Sequence, residues 1–125
     1  MLLCDTNIFI EVYRRNMAIC AELEKIGHEN IAVSDITRGE LFYGALNKAE
    51  LKLIKNDLDN VIVLPVNVEI SEMAVNLVEK YCLSHKLDIV DALIAATAIY
   101  YNTELFTLNA KDFKFIPNLK LYYLQ

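Results

Sequence analysis

Glycine and proline are scarce in this chain, with three and two residues among 125. A sequence poor in both, and 55% apolar, is not a disordered polypeptide. It has no Gly-rich phosphate loop, which sets aside nucleotide hydrolysis of the P-loop type. Histidine occurs only at His28 and His85, and the three cysteines, Cys4, Cys20 and Cys82, form no CxxC pair. That excludes a zinc site of thiolates and imidazoles, so any metal here is a hard cation held by oxygen. The thiols are expected to be free and buried in a reducing compartment. No apolar run is long enough to span a bilayer. No charged region precedes the short apolar run at the N-terminus, so it does not read as a signal peptide. These absences lead to the expectation of a cytoplasmic protein with no membrane segment. An excess of basic residues is also lacking: 12 Lys and Arg face 17 Asp and Glu, for a net charge of −5. Such a chain has no general attraction for nucleic acid. Any contact of that kind needs a local basic rim.

What is present alternates between short apolar runs and amphipathic stretches. Met1–Cys4, Ile31–Ser34, Val61–Val66, Glu104–Thr107 and Leu119–Leu124 read as strands, with Pro65 suited to a strand end. Helices are expected over Ile8–Arg14, Met17–Ile26, Thr37–Leu46, Lys48–Asp59, Val68–Ser84 and a segment opening near Asp88 and running to Asn102. Gly27 reads as a C-cap, and Leu108–Phe113 as a loop or single helical turn. The alternation predicts one α/β domain over residues 1–125, with a mainly parallel five-stranded sheet and helices on both faces. The segment from Asp88 is apolar all round, which marks a buried helix. Its alanines, Ala92, Ala95, Ala96 and Ala98, permit close approach by neighbouring elements.

Acidic residues recur where strands end or helices begin. Asp5 follows the first strand, at the carboxyl edge where open α/β sheets place ligands. Glu40 follows the second strand, and its spacing from Thr37 also fits a capping box. Asp88 and Asp91 open the apolar helix, Asp88 suiting an N-cap and Asp91 the first turn. Asn109 and Asp112 follow the fourth strand. Several carboxylates meeting at one sheet edge repel one another unless a cation joins them. Carboxylates are the usual cradle for Mg2+ or Mn2+, and such ions can activate water and stabilise charge on a phosphate.

Four segments carry a resemblance. They are Leu3-Cys4-Asp5-Thr6-Asn7, Ser34-Asp35-Ile36-Thr37-Arg38-Gly39-Glu40-Leu41-Phe42-Tyr43-Gly44, Asp91-Ala92-Leu93-Ile94-Ala95-Ala96-Thr97-Ala98, and Leu105-Phe106-Thr107-Leu108-Asn109-Ala110-Lys111-Asp112-Phe113. In this order they resemble the PIN-domain ribonucleases, specifically the VapC-like toxins of toxin–antitoxin pairs. The resemblance implies a PIN-like fold and metal-dependent endonucleolytic cleavage of RNA, tRNA being one candidate. It also implies inhibition by a cognate antitoxin protein. It places Asp5, Glu40 and Asp91 as the acidic metal-binding set, with Asp88 left mainly to capping. At the fourth position the family often has Asp near the site of Asn109. The neutral amide leaves Asn109 or Asp112 to complete the set. A competing reading, which Asn109 favours, is a PIN-like module that binds RNA or protein with weak or no catalysis. A phosphatase with an aspartyl nucleophile is disfavoured, because Asp5-Thr6-Asn7 lacks the second acid of the Asp-x-Asp motif.

Around this set, Thr6 and Thr107 can support the carboxylates through their hydroxyls, and Asn7 reads as a corner residue. Arg38 and Lys111 are candidates for substrate phosphate. Lys86, Lys111, Lys114 and Lys120 are candidates for a basic rim. Tyr43, Tyr100, Tyr101, Phe113 and Phe115 offer stacking faces, although most fit a core or interface more simply. His85, alone in a polar turn, reads as merely exposed. Ile8, Phe9, Tyr13, Leu41, Phe42, Leu51 and Leu53 are more apolar surface than one small sheet is expected to bury. They predict a homodimer and a groove on the early helices for an antitoxin segment.

Overall fold

The computed structural model describes residues 1–125. In chain order the elements are β1 (Leu2–Cys4), α1 (Thr6–Tyr13), α2 (Met17–Ile26), β2 (Ile31–Ser34), α3 (Asp35–Tyr43), α4 (Lys48–Leu58), β3 (Ile62–Leu64), α5 (Val68–His85), α6 (Ile89–Tyr100), β4 (Glu104–Phe106) and β5 (Leu121–Tyr122). Single 3-10 turns lie at His28–Asn30 and Ala110–Asp112. The expected α/β alternation holds. The strands form one sheet in the order β3-β2-β1-β4-β5, and every pairing is parallel.

Each helix opens on a side chain suited to the task. Asp5, Asn16, Ser34, Asn47, Asn67 and Asp88 each accept a bond from a backbone N–H of the helix that follows. Such a cap contributes about 1 kcal/mol, because the first N–H groups of a helix have no partner within it. Gly27 ends α2 with φ at +92°, where an L side chain is strained. The boundary of α3 corrects the capping-box reading. The helix begins earlier than Thr37, and its cap is Ser34, whose Oγ accepts from the Thr37 N–H at 3.1 Å. Glu40 therefore has no capping duty. The outer strands are shorter than the apolar runs that contain them, and Pro65 falls just past β3.

Alternation along the strands sorts the core into two layers. Leu3, Ala32 and Leu105 face one side, where α5 and α6 cover the sheet. Leu2, Cys4, Ile31, Val33 and Phe106 face the other, against Ile8 and Phe9 of α1, Ile19 and Leu23 of α2, Leu41 of α3, and Ile54 and Leu58 of α4. Ile8, Phe9 and Leu41 are thus core residues, which corrects their place among the surplus apolar surface; Tyr13, Leu51 and Leu53 remain exposed. The alanines of α6 are fully buried, so α6 lies within the layer rather than on it. Enlarging one of them would overpack the layer at a cost of about 1–3 kcal/mol. All three cysteines are free, but only Cys4 is fully buried. No helix is long and apolar enough to cross a membrane.

The topology decides where a site can form. From β1 the chain winds to β2 and β3, then crosses back to β4 and β5 on the other side. This reversal opens a crevice at the carboxyl ends of β1 and β4.

Candidate active site

Asp5 stands at that crevice, just past β1. It is 6% exposed. Its backbone N–H donates to the Phe106 carbonyl at 2.9 Å, which ties the two strand ends together. Its Oδ1 accepts from the Thr6 N–H and its Oδ2 from the Thr107 hydroxyl, both at 2.8 Å. Burial pushes the Asp5 carboxyl above its ordinary value, and Glu40 adds repulsion. The two hydrogen bonds pull the other way and do not overcome the burial.

The Thr6 hydroxyl donates to Glu40 Oε1 at 2.7 Å and lies 3.0 Å from the Thr37 hydroxyl. Thr6 thus touches both acids, Asp5 through its backbone and Glu40 through its side chain. Asn7 braces the opposite wall. Its amide nitrogen lies 3.4 Å from Thr107 Oγ1, and its Oδ1 accepts from the Leu108 N–H at 3.2 Å. It holds the corner, as its position after β1 suggested.

The apolar helix supplies the third acid. Asp88 caps α6, its Oδ1 accepting from the Asp91 N–H at 2.9 Å. Asp91 is half-buried in the first turn, and its carboxyl is pushed up to about 6. Burial is the main cause, followed by repulsion from Asp88, Asp5, Asp112 and Glu40. Acids from the β1–α1 corner, α3, the start of α6 and the turn after β4 therefore share one electrostatic volume. No Lys, Arg or His stands within ion-pair distance of any of these five carboxylates.

The fourth position divides differently from the sequence expectation. Asn109 is exposed, and its backbone N–H, rather than its side chain, joins the site by donating to Thr107 Oγ1 at 3.1 Å. Asp112, also exposed, is near enough to raise Asp91. Arg38 is engaged within α3 through one nitrogen, while its Nε has no hydrogen-bond partner. Its guanidinium pairs with Asp35 at 3.0 Å and lies over the Phe42 ring at 5.9 Å. Lys111 is exposed beside Asp112 with no ion-pair partner.

As arranged, no three Asp, Glu, His or Cys side chains stand close enough together to hold one ion. Like charges keep their distance, and hydroxyls hold Asp5 and Glu40 where they are. The donors are nonetheless all oxygen and all anionic, the chemistry that a hard divalent cation requires. Glu40, Asp112 and Asp88 are exposed, so their carboxylates are open to an ion from solvent.

The expected support of Asp5 by the Thr107 hydroxyl is present, whereas the sequence reading missed the Thr37 hydroxyl beside Thr6 and the Asn109 N–H on Thr107 Oγ1. The Thr37 contact has no local signal, because it joins Thr6 to a helix 31 residues away, whereas the Asn109 bond is a local turn that a threonine two residues earlier could have suggested. A groove of about 570 Å3 lies elsewhere. Phe9, Val12, Tyr13, Leu23, Leu58 and Val61 line it together with Glu29 and Asp57. It is an apolar trough on the early helices, without the acids described above.

Comparison with known proteins agrees with this fold. The sequence model of the PIN domain family matches residues 2–118. A protein named Ribonuclease VapC19, from Mycobacterium tuberculosis, is 36% identical over 124 residues, spanning 96% of this chain and 98% of that one. A chain in a toxin-antitoxin complex from Klebsiella pneumoniae superposes with a TM-score of 0.82 at 30% identity, covering 100% of both. The VapBC-1 structure from nontypeable Haemophilus influenzae matches with a TM-score of 0.80 at 28% identity, over 97% of this chain and 96% of that one.

Proposed function

Because this chain belongs to the PIN domain family, we propose that it is an endoribonuclease that hydrolyses RNA phosphodiester bonds with Mg2+ or Mn2+, as the toxin of a toxin–antitoxin pair in the cytoplasm. The observation that carries the reading is the shared field of Asp5, Glu40, Asp91 and Asp112 without a neighbouring cation. A purely structural cluster of this kind is unfavourable, since each carboxylate raises the cost of ionising the next. The cluster gains a purpose if a divalent ion is its intended occupant.

In this reading Asp5, Glu40 and Asp91 hold the ion, and Asp112, rather than Asn109, completes the set. The bound ion supplies an activated water at neutral pH and offsets charge developing on the phosphate. Thr107 orients Asp5, and Thr6 keeps Glu40 turned toward it. Asp88 holds the first turn of α6 in place, and with it Asp91. Arg38 acts by fixing Asp35 and Phe42 on α3, not on substrate. Lys111 is placed to meet an RNA phosphate near Asp112.

The partner protein is an antitoxin whose apolar segment occupies the trough between α1, α2 and α4. Support comes from the lining of that trough and from the relatives whose structures are toxin–antitoxin assemblies. Val12→Arg is expected to weaken capture of a co-expressed antitoxin while cleavage persists. Tyr43, Leu46 and Leu53, all well exposed, support a homodimer. Sedimentation at micromolar concentration should find two copies, and a monomer there would contradict this part.

The deciding experiment incubates purified protein with total RNA and maps the new ends by sequencing. Cleavage should appear with Mg2+ or Mn2+, disappear in EDTA, and be absent from Asp5→Asn. Cleavage that survives EDTA would overturn the metal mechanism. Intact RNA under every condition would favour the non-catalytic binding module.

A further inference from the structure

His85, the last residue of α5, is exposed, yet its ring is well ordered by its neighbours. It stacks on Phe115 with centroids 4.0 Å apart and planes 17° from parallel. Tyr81, one turn back on α5, meets His85 at 5.8 Å and 75°, and Phe115 at 5.1 Å and 58°. The Ser84 hydroxyl lies 2.8 Å from His85 Nδ1 and fixes the ring further. Phe115 covers one face of the imidazole, and Tyr81 meets it at a steep angle. The imidazole nonetheless remains exposed and so is accessible to another planar group.

This ledge adjoins the acidic edge along two chain paths. Only Lys86 and Leu87 separate His85 from Asp88, a span of at most about 11 Å even when fully extended. On the other path, Phe115 follows Asp112 closely in the segment that begins at Thr107, whose hydroxyl holds Asp5. Lys86 and Lys114 flank the ledge, and neither has an ion-pair partner. In a chain of net charge −5, free cations beside an aromatic ledge and next to an acidic cluster are a local reversal of the overall charge.

We propose that the His85–Phe115 stack is a base platform that positions a single-stranded segment of the RNA substrate at the acidic edge, with Lys86 and Lys114 on the adjoining phosphates. The inference rests on the ribonuclease reading and names the form of RNA that the site accepts. Unpaired bases have exposed π-faces that stack on aromatic rings, whereas a duplex keeps those faces covered. Every base has such a face, so the platform selects strandedness more than sequence.

Binding is measured in the Asp5→Asn background, which prevents cleavage, by fluorescence anisotropy with Mg2+ present. The probes are a single-stranded oligoribonucleotide and the same sequence as a duplex. His85→Ala and Phe115→Leu are each expected to weaken single-strand binding by roughly 5- to 100-fold, the usual range for losing one base–aromatic stack. Leucine still fills the space against α5 but has no π-face, so a packing role alone would leave binding unchanged. Phe115→Trp and His85→Tyr should retain binding. Lys114→Ala should lower the salt slope for the single strand by roughly 0.7, as expected for one lost phosphate contact. In the active protein, Phe115→Leu should raise KM with little change in kcat. Parent-like single-strand affinity in both His85→Ala and Phe115→Leu overturns the platform while leaving the ribonuclease reading intact. A wild-type protein that neither binds nor cleaves RNA overturns both.

Discussion

Two carboxylates are almost fully buried in this chain, Asp5 at 6% exposure and Glu22 at 5%, and their surroundings could hardly differ more. Glu22, on α2, accepts from the Tyr122 hydroxyl and from the Gln125 backbone N–H, and pairs with Lys25 at 3.2 Å. The Tyr122 hydrogen bond is the main reason its carboxyl lies below the ordinary value. Asp5 has two good hydrogen bonds but no cation, and its carboxyl lies above the ordinary value. Glu22 is complete within the chain and ties the C-terminal residues to α2. Asp5 is left with charge that nothing in the chain neutralises. Burial of an acid is therefore uninformative here until its partners are counted. The acid lacking a cation is the one read as functional.

The comparison breaks most sharply at Asp5 itself. Asp5→Asn should reduce RNA cleavage to background while circular dichroism still reports a folded α/β protein. Glu22→Gln should leave cleavage at the wild-type rate. Loss of activity in both would mean that Asp5 acts only through folding. A smaller effect is expected from the hydroxyl that steadies Asp5. Thr107→Val should cost about 10–100-fold in metal affinity, the usual range for a residue orienting a ligand. Titration of Mn2+ against activity measures it.

Removing charge from the acidic edge should then stabilise the metal-free fold. Asp91→Asn is expected to raise the melting temperature in EDTA by a few degrees, since four other acids repel Asp91. The same variant should lose most of the stabilisation that added Mg2+ gives the wild type. A lower melting temperature in EDTA would count against the cluster being repulsive. The smallest effect is at Glu22 under acid. Its folded value is depressed, so its contribution is present above the unfolded value near 4.5 and is lost as pH falls through the folded one. Glu22→Gln should therefore lower stability slightly at neutral pH and flatten the acid limb, the two profiles converging as pH falls through the folded value.

Much of the architecture was legible in the chain because period and punctuation are local. The continuous apolar runs marked buried strands, and Gly27 marked the end of α2. Asp88 was readable as a cap because its partner is the nearby Asp91 N–H. Glu40 was harder, since the same spacing fits a capping box and a site acid. Ser34 resolved it by taking the cap. The early-helix residues Ile8, Phe9 and Leu41 were misjudged as surplus because sequence periodicity does not measure how much surface the second face of a sheet covers.

By itself, the sequence determined the α/β alternation, the buried character of α6 and the acids at its strand ends. These follow from hydropathy period and residue type, which are properties of neighbours in the chain. Only the tertiary structure decided which acids share a field, because that depends on the return from β3 to β4 across β1. It also brought Asp112 into the field of Asp91, gave Thr107 its hold on Asp5, and set His85 against Phe115. Each of those relations joins residues from separate elements, and Coulomb forces and ring stacking depend on distance in space rather than on order in the chain.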